Sequence, residues 1–278
     1  MGVAMARNLI KAGYDVTVWN RSADKCRPLV ELGAKMAASP KAVAEGCDVT
    51  FTMVSDPDAA LEVALGKDGI VHGIGKGKGY VDVSTVDGGC SKQISDGIRA
   101  TGALFLEAPV SGSKGPAENG QLIFLCAGDK ALFDAVAHPL GVMGKASFHL
   151  GETGKGAEMK LVVNMVMGSM MEAFCEGLAL ADKAGLRQED VLQVLDLGAM
   201  ACPMFKLKGP TIIKREYPVN FPLKHQQKDM RLALALGDDL DVSLPVAAAA
   251  NEAYKRAKAL GQEDEDFAAV YESTQNFI

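Results

Sequence analysis

The stretch MGVAMARNLIKAGYDVTVWNRS, residues 1–22, has a helical pattern that runs into a short β-branched run. Three polar residues, Asn20, Arg21 and Ser22, follow that run. A helix leading directly into a strand is typical of one crossover unit of an α/β fold, in which helices alternate with parallel strands. The opening of the chain therefore predicts an α/β domain.

Four further apolar runs extend this alternation to about residue 150: CDVTFTMVS (47–55), GYVDVST (79–85), ALFLEAPV (103–110) and GQLIFLCAG (120–128). Helical patterns between them predict a mostly parallel sheet. From about residue 151 the β-branched runs stop, and long amphipathic stretches occupy 157–185, 188–199, 225–240 and 245–261. We expect an α/β domain over residues 1–152 and an all-helical domain over residues 153–278.

Prolines, glycines and charged residues interrupt the helical pattern between residues 202 and 222, in CPMFKLKGPTIIKREYPVNFP. Clusters of this composition are typical of loops and turns. We expect this segment to be ordered but irregular, between two helices.

Composition excludes several classes of protein. The 278 residues carry 29 basic and 35 acidic side chains, with no long basic run, which argues against a nucleic-acid partner. No uninterrupted apolar segment reaches the ~20 residues of a membrane span. The six cysteines form no C-x-x-C pair and no metal-ligand spacing with the four histidines, so they are interpreted as reduced core thiols without a metal. The expected location is the cytoplasm, or a plastid if an upstream transit peptide was removed.

The glycine at position 2 is the first candidate for cofactor binding. A dinucleotide-binding fold places a glycine-rich turn between its first strand and first helix, where the backbone approaches the pyrophosphate. Gly2 can only be the last glycine of such a turn, so the first strand, about ten residues, is expected to be missing. We expect a truncated chain with weakened affinity for its cofactor.

Asn20, Arg21 and Ser22 lie where the ribose of a bound dinucleotide would lie. An acidic residue there would bind the 2′-hydroxyl of NAD, whereas an amide, a guanidinium and a hydroxyl offer donors to the 2′-phosphate of NADP. The alternative is a plain polar cap between a strand and a helix.

Ser111, Gly112 and Ser113 directly follow a predicted strand. Their hydroxyls and backbone N–H groups would converge at the carboxyl end of the sheet, where open α/β folds bind ligands. Such a loop suits a carboxylate. The alternative is an ordinary turn, because serine and glycine favour turns for conformational reasons.

Lys160 and Asn164 are four residues apart in a helical stretch, so they lie on one face, which otherwise continues with large apolar residues. A desolvated lysine can donate or accept a proton near neutral pH. The alternative is that Lys160 reaches solvent and Asn164 caps or packs.

Three motifs in this order carry a family resemblance: EAPVSG (107–112), GKGAEMKLVVN (154–164) and FPLKHQQKDMRLAL (221–234). The chain resembles the β-hydroxyacid dehydrogenase family, related to 3-hydroxyisobutyrate dehydrogenase, and within it the plant-type glyoxylate and succinic semialdehyde reductases. The resemblance covers essentially the whole chain. It implies a Rossmann-type NADP-binding domain followed by an all-helical domain that closes over substrate and forms oligomers.

The resemblance implies a role for each matching residue. Lys160 would protonate the carbonyl oxygen while hydride arrives from the nicotinamide, and Asn164 would hold the substrate or the lysine. Ser111, Gly112 and Ser113 would grip the substrate carboxylate. The residues implied to lie at the cofactor are Met53, Val54, Thr85 and Lys228, of which Lys228 would reach the cofactor or the substrate. Phe221 would narrow the substrate pocket. Asp229 would orient Lys160 or its neighbours.

The implied activity is NADPH-dependent reduction of glyoxylate to glycolate and of succinic semialdehyde to 4-hydroxybutyrate. Two alternatives stay open: a dehydrogenase of 3-hydroxyacids such as 3-hydroxyisobutyrate, and a catalytically impaired oligomerisation or binding protein. A chromatin-associated member of the family lacks the catalytic lysine, so Lys160 argues against that role. The apolar stretch 157–185 predicts a homodimer or homotetramer.

Overall fold

The computed structural model describes residues 1–275, and the chain divides into two compact units. The first unit is Met1–Lys160 and the second begins at Leu161. The first combines helices with β-strands and the second is built from helices, as the sequence predicts. One long helix, Lys155–Lys183, contributes residues to both units.

The first unit contains eight strands among its described residues. Each of the five predicted runs contains a strand, and the run 103–110 contains one and the start of another. The strands are β1 Thr17–Val18, β2 Lys35–Met36, β3 Val49–Thr52, β4 Gly79–Asp82, β5 Leu104–Glu107, β6 Val110–Ser111, β7 Leu122–Gly128 and β8 Gly144–His149. Strands β2 and β8 were not predicted. Strand β2 consists of two exposed residues, and strand β8, with the sequence GKASFH, consists mostly of small and polar residues.

One α-helix precedes these strands and seven lie between them: α1 Gly2–Lys11, α2 Arg27–Val30, α3 Pro40–Gly46, α4 Pro57–Leu65, α5 Gly88–Ala100, α6 Lys114–Glu118, α7 Lys130–Ala135 and α8 Ala137–Met143. Three of them begin at a side-chain cap. Ser39, Asp56 and Asp87 each accept a hydrogen bond from a backbone N–H in the first turn of α3, α4 and α5. Such caps satisfy N–H groups that have no partner within the helix.

The strand order brings several loops to one edge. Strands β3, β4 and β5 pair in parallel, and β7 then pairs antiparallel with both β5 and β6 and parallel with β8. The carboxyl ends of β3, β4 and β5 therefore lie side by side. Among the described residues, β1 and β2 pair only with each other, in a separate two-stranded parallel sheet.

Both faces of the larger sheet are covered by apolar side chains. Successive residues of a strand point to opposite faces. Tyr80 and Phe105 accordingly belong to a core cluster with α4 and α5, whereas Val81 and Leu106 belong to another that includes residues of α1, α7 and α8. A parallel sheet buried on both faces is what βαβ crossovers produce.

In the described part of the second unit the regular elements are helices, and the one β interaction there is an isolated bridge between Pro222 and Asp266. Its helices are α9 Lys155–Lys183, α10 Gln188–Leu197, α11 Pro203–Lys214, α12 Leu223–Asp239, α13 Pro245–Ala259 and α14 Tyr271–Gln275. The four predicted amphipathic stretches are all helices. Their core contains apolar residues of α9, α11, α12 and α13 and of the short turn Phe267–Val270.

The prediction of an irregular segment at residues 202–222 is wrong for its first half, which is helix α11. Pro203 occupies the first turn, where the missing N–H costs nothing. Pro210 lies inside the helix and is exposed to solvent, so its ring is not packed into the core of the unit. A proline at this position removes one N–H donor from the helix without ending it.

All six cysteines are free thiols, and most of them are buried. The six thiols form no disulfide; Cys26, Cys90, Cys126 and Cys175 are buried, whereas two are half-buried.

Helix α9 is long and apolar enough to cross a membrane by length and composition alone, and 44% of its most apolar window is buried. Core helices of water-soluble proteins pass the same test, so this observation is weak evidence for a membrane span.

Candidate functional site

The ends of β3 and β4 are joined by a serine. The Oγ atom of Ser84 accepts a hydrogen bond from the backbone N–H of Val54 at 3.1 Å, and the N–H of Ser84 donates to Oδ1 of Asp82 at 2.9 Å. Burial raises the pKa of Asp82, while its hydrogen bonds with Ser84 oppose the rise. This chain of contacts fixes Val54 close to Ser84, and hence near Thr85, at the carboxyl edge of the sheet.

Helix α1 begins at the same edge. A Cβ atom on Gly2 would lie 3.8 Å from the Cβ of Met53, so two residues predicted for the cofactor are neighbours. No side chain caps the start of α1, and its first turn holds no acidic residue. A helix N-terminus with uncapped N–H groups next to strand ends fits a dinucleotide pyrophosphate.

The residues that follow β1 form an exposed local turn. Asn20, Arg21 and Ser22 are exposed, and Oδ1 of Asn20 accepts a hydrogen bond from the N–H of Ser22 at 2.9 Å, which is a local turn. Arg21 makes no hydrogen bond or ion pair with any residue that the structure describes. A guanidinium in this position remains able to bind a phosphate.

Ser111 is the last residue of β6 rather than part of the loop, and the backbone that follows it is constrained at Gly112. Gly112 has a φ angle of +122°, and a Cβ atom there would lie 3.0 Å from both Leu122 Cδ2 and Pro116 Cβ. Ser113 precedes α6, but its hydroxyl makes no capping hydrogen bond. Ser111 itself is the last residue of β6, which pairs antiparallel with β7, so the predicted carboxylate loop begins at the end of β6 and not directly after β5.

Helix α9 carries the candidate proton donor. Lys160 is only 6% exposed and Asn164 only 2% exposed, one helical turn further on. The interpretation in which Lys160 reaches solvent is therefore wrong. A buried ammonium group is costly unless it is compensated, which is why buried lysines are candidates for chemistry.

Within the second unit, three predicted residues are in contact. Nδ2 of Asn164 donates to Oδ2 of Asp229 at 2.6 Å, and Nζ of Lys228 lies 3.1 Å from Oδ1 of the same carboxylate. Gln226 Nε2 also donates to the backbone oxygen of Asn164 at 2.9 Å. Helix α12 therefore fixes the orientation of Asn164 through a buried carboxylate.

Phe221 is held by residues that the sequence analysis did not single out. Its N–H donates to Oδ2 of Asp266 at 3.2 Å, and Oδ1 of that carboxylate accepts from Nζ of Lys208 at 2.7 Å. The Phe221 and Phe267 rings meet edge to face, with centroids 6.0 Å apart. Lys208 and Asp266 are both buried and distant in sequence, so no local pattern could have identified the pair.

Both units match known families. Residues 1–151 match the NAD binding domain of 6-phosphogluconate dehydrogenase, and residues 154–274 match a family described as NAD-binding of NADP-dependent 3-hydroxyisobutyrate dehydrogenase.

Two plant reductases and one bacterial structure are similar to the whole chain. Glyoxylate/succinic semialdehyde reductase 2, chloroplastic, of Arabidopsis thaliana is 61% identical over 98% of this chain and 76% of its own. Glyoxylate/succinic semialdehyde reductase 1 of the same plant is 58% identical over 99% and 95%. The crystal structure of 3-hydroxyisobutyrate dehydrogenase from Salmonella typhimurium has a TM-score of 0.89 and 24% identity, with 98% and 95% covered, which shows a shared fold.

The geometry of the loop generates a prediction about Gly112. Gly112→Ala forces a side chain into a positive-φ backbone and against Leu122 and Pro116, and should lower the free energy of unfolding by about 1–3 kcal/mol. Gly115→Ala is the matched control, because a Cβ atom there meets nothing within 4 Å and Gly115 lies inside α6. Urea unfolding of the two variants measures the difference; equal stabilities would contradict the strained-loop assignment.

Proposed function

Because the chain belongs to the β-hydroxyacid dehydrogenase family, we propose that it is an NADPH-dependent reductase of small aldehydes that carry a carboxylate. The observation that carries the proposal is the buried Lys160, one turn before an Asn164 that is itself oriented by Asp229. The high identity to two glyoxylate/succinic semialdehyde reductases supports glyoxylate and succinic semialdehyde as substrates.

Reduction of an aldehyde adds a hydride to the carbonyl carbon and a proton to the carbonyl oxygen. NADPH, when bound, supplies the hydride. The Nζ ammonium of Lys160 donates the proton, so the oxygen leaves as a neutral alcohol and the lysine is left neutral until it regains a proton from water. Asn164, fixed by Asp229, holds the lysine or the substrate in the orientation that this transfer needs.

The substrate carboxylate binds the segment Ser111–Ser113, at the end of β6. The hydroxyls of Ser111 and Ser113 and the backbone N–H groups around Gly112 are donors, which a carboxylate accepts. Phe221 narrows the pocket, and its backbone is anchored to Asp266. This arrangement favours small aldehyde acids over bulky or neutral aldehydes.

Cofactor binding is assigned to the edge where α1 begins. Gly2 allows close approach of the pyrophosphate, while Met53, Val54 and Thr85 line the nicotinamide side. The exposed donors Asn20, Arg21 and Ser22 bind the 2′-phosphate. Lys228, which pairs with Asp229, reaches toward the cofactor or the substrate.

A substrate panel tests the activity. The purified chain should oxidise NADPH with glyoxylate and with succinic semialdehyde, and should do so less efficiently with NADH. Faster turnover of 3-hydroxyisobutyrate with NAD would instead support the dehydrogenase alternative. Failure to bind NADPH or to turn over any of the three compounds would support a binding or assembly protein.

Replacement of the lysine tests the mechanism. Lys160→Ala should lower kcat by about 10²–10⁴-fold, because the proton donor is lost, and should leave the Kd of NADPH nearly unchanged. Lys155→Ala is the matched control on the same helix, since Lys155 is exposed and pairs with Glu158. Near-normal kcat in Lys160→Ala would remove Lys160 from the catalytic role.

Assembly into a homodimer or homotetramer is supported by one face of α9. Met159, Val162, Val166 and Met170 are 37–48% exposed and recur at helical spacing. A contiguous apolar stripe of this kind is stabilised when another protein surface covers it. Light scattering should give two or four times the chain mass of 29.2 kDa; a mass of 29.2 kDa would contradict the proposal.

A further inference from the structure

Glu107 is a buried carboxylate to which the sequence analysis assigned no role. It is the last residue of β5 and is only 2% exposed. Burial raises its pKa, and hydrogen bonds from Ser91 and from three backbone N–H groups oppose the rise. A carboxylate so well supplied with donors is held in one place.

The hydrogen bonds of Glu107 join three elements of the first unit. Its Oε1 accepts from the N–H groups of Gly154 at 2.8 Å, Gly156 at 2.7 Å and Ala157 at 3.3 Å. Its Oε2 accepts from the hydroxyl of Ser91, which lies on α5. The carboxylate therefore ties β5 and α5 to the beginning of α9.

The start of α9 is pressed against the sheet at this point. A Cβ atom on Gly156 would lie 2.3 Å from the backbone oxygen of Leu125 and 3.0 Å from Oε1 of Glu107. Only glycine permits this close approach. The first N–H groups of a helix have no partner within the helix and favour a negative charge nearby. The carboxylate of Glu107 supplies that charge at the start of α9, and Gly156 leaves the space for it.

Two parts of the proposed reductase depend on this contact. Lys160 lies one turn after Ala157, so the position of the first turn of α9 determines the position of the Lys160 backbone. On the other side, Glu107 ends β5, and the chain continues through Ala108 and Pro109 into β6, whose last residue, Ser111, begins the segment Ser111–Ser113. One carboxylate thus fixes the helix of the proton donor to the strand that leads toward this segment.

We propose that Glu107 is a positioning residue, which sets the placement of Lys160 relative to the segment Ser111–Ser113 by holding the first turn of α9 to the end of β5. The inference rests on the proposed reductase function. It assigns Glu107 no contact with the substrate or the cofactor.

The test compares Glu107→Ala with Glu107→Gln. The alanine variant removes every acceptor, whereas the glutamine Oε1 still accepts from the helix N–H groups and its amide can donate to Ser91. We expect kcat to fall about 10-fold or more in Glu107→Ala, because small misplacements of a reacting group slow the chemistry strongly. Glu107→Gln should recover most of that loss, and the Kd of NADPH should change little in either variant.

Glu158→Ala is the matched control. It removes an acidic residue from the same turn of α9, where Glu158 pairs with Lys155 and makes no contact with Glu107. Its kcat should stay within about twofold of the wild type even if its unfolding midpoint falls. If Glu107→Ala does not fold, Ser91→Ala replaces it, and its kcat should fall about threefold or more with an unchanged Kd for NADPH.

The outcomes separate the inference from the function on which it rests. A wild-type chain that reduces no aldehyde with NADPH overturns the proposed function and this inference with it. If the wild type is active and the kcat of Glu107→Ala stays within twofold of it, the positioning role alone is overturned. Where Glu107→Ala does not fold, the same criterion applies to Ser91→Ala. Equal losses in Glu107→Ala and Glu158→Ala would also overturn it, because they would indicate general destabilisation.

Discussion

The parallel pairing of β3, β4 and β5 is the constraint on which the candidate site depends, because it places three strand ends at one edge of the sheet. Val54 and Thr85 follow two of these ends, and the third strand, β5, continues through Ala108 and Pro109 into β6, after which comes Gly112. Helix α1 begins beside Met53 at the same edge. The start of α1 and the residues predicted for the nicotinamide therefore lie at one edge as a consequence of this register.

Helix α9 adds a buried lysine to this scaffold, and removing its ammonium group from water costs free energy. Lys160 is buried, and the energy of burying an ammonium group must be offset by its surroundings. The structure holds the helix firmly on both sides of the lysine: Glu107 binds its first turn, and Asp229 binds Asn164 one turn beyond. Such support suits the proposed role of Lys160, because the rate of a proton transfer depends strongly on the placement of the donor.

The sequence predicted the elements with strong local patterns and missed those that depend on distant contacts. All five β-branched runs contain strands, and four of them lie in the larger sheet, where apolar residues fit a sheet buried on both faces. Helix α11 was missed because Pro210 lies inside it, and a proline there is typical of a break in a helix. The order of the motifs predicted the candidate residues, but it did not predict the residues that hold them in place. Glu107 bonds to Gly156, and Lys208 bonds to Asp266, between positions far apart in the sequence.

The central claim is that a buried lysine transfers a proton while NADPH reduces an aldehyde acid. Single-turnover mixing of glyoxylate with the chain saturated by NADPH tests it directly, with Lys160→Met as the variant because methionine has similar length and no proton to give. The account predicts that both proteins bind NADPH with similar Kd and that only the wild type consumes it rapidly. Consumption of NADPH at the wild-type rate by Lys160→Met would contradict it.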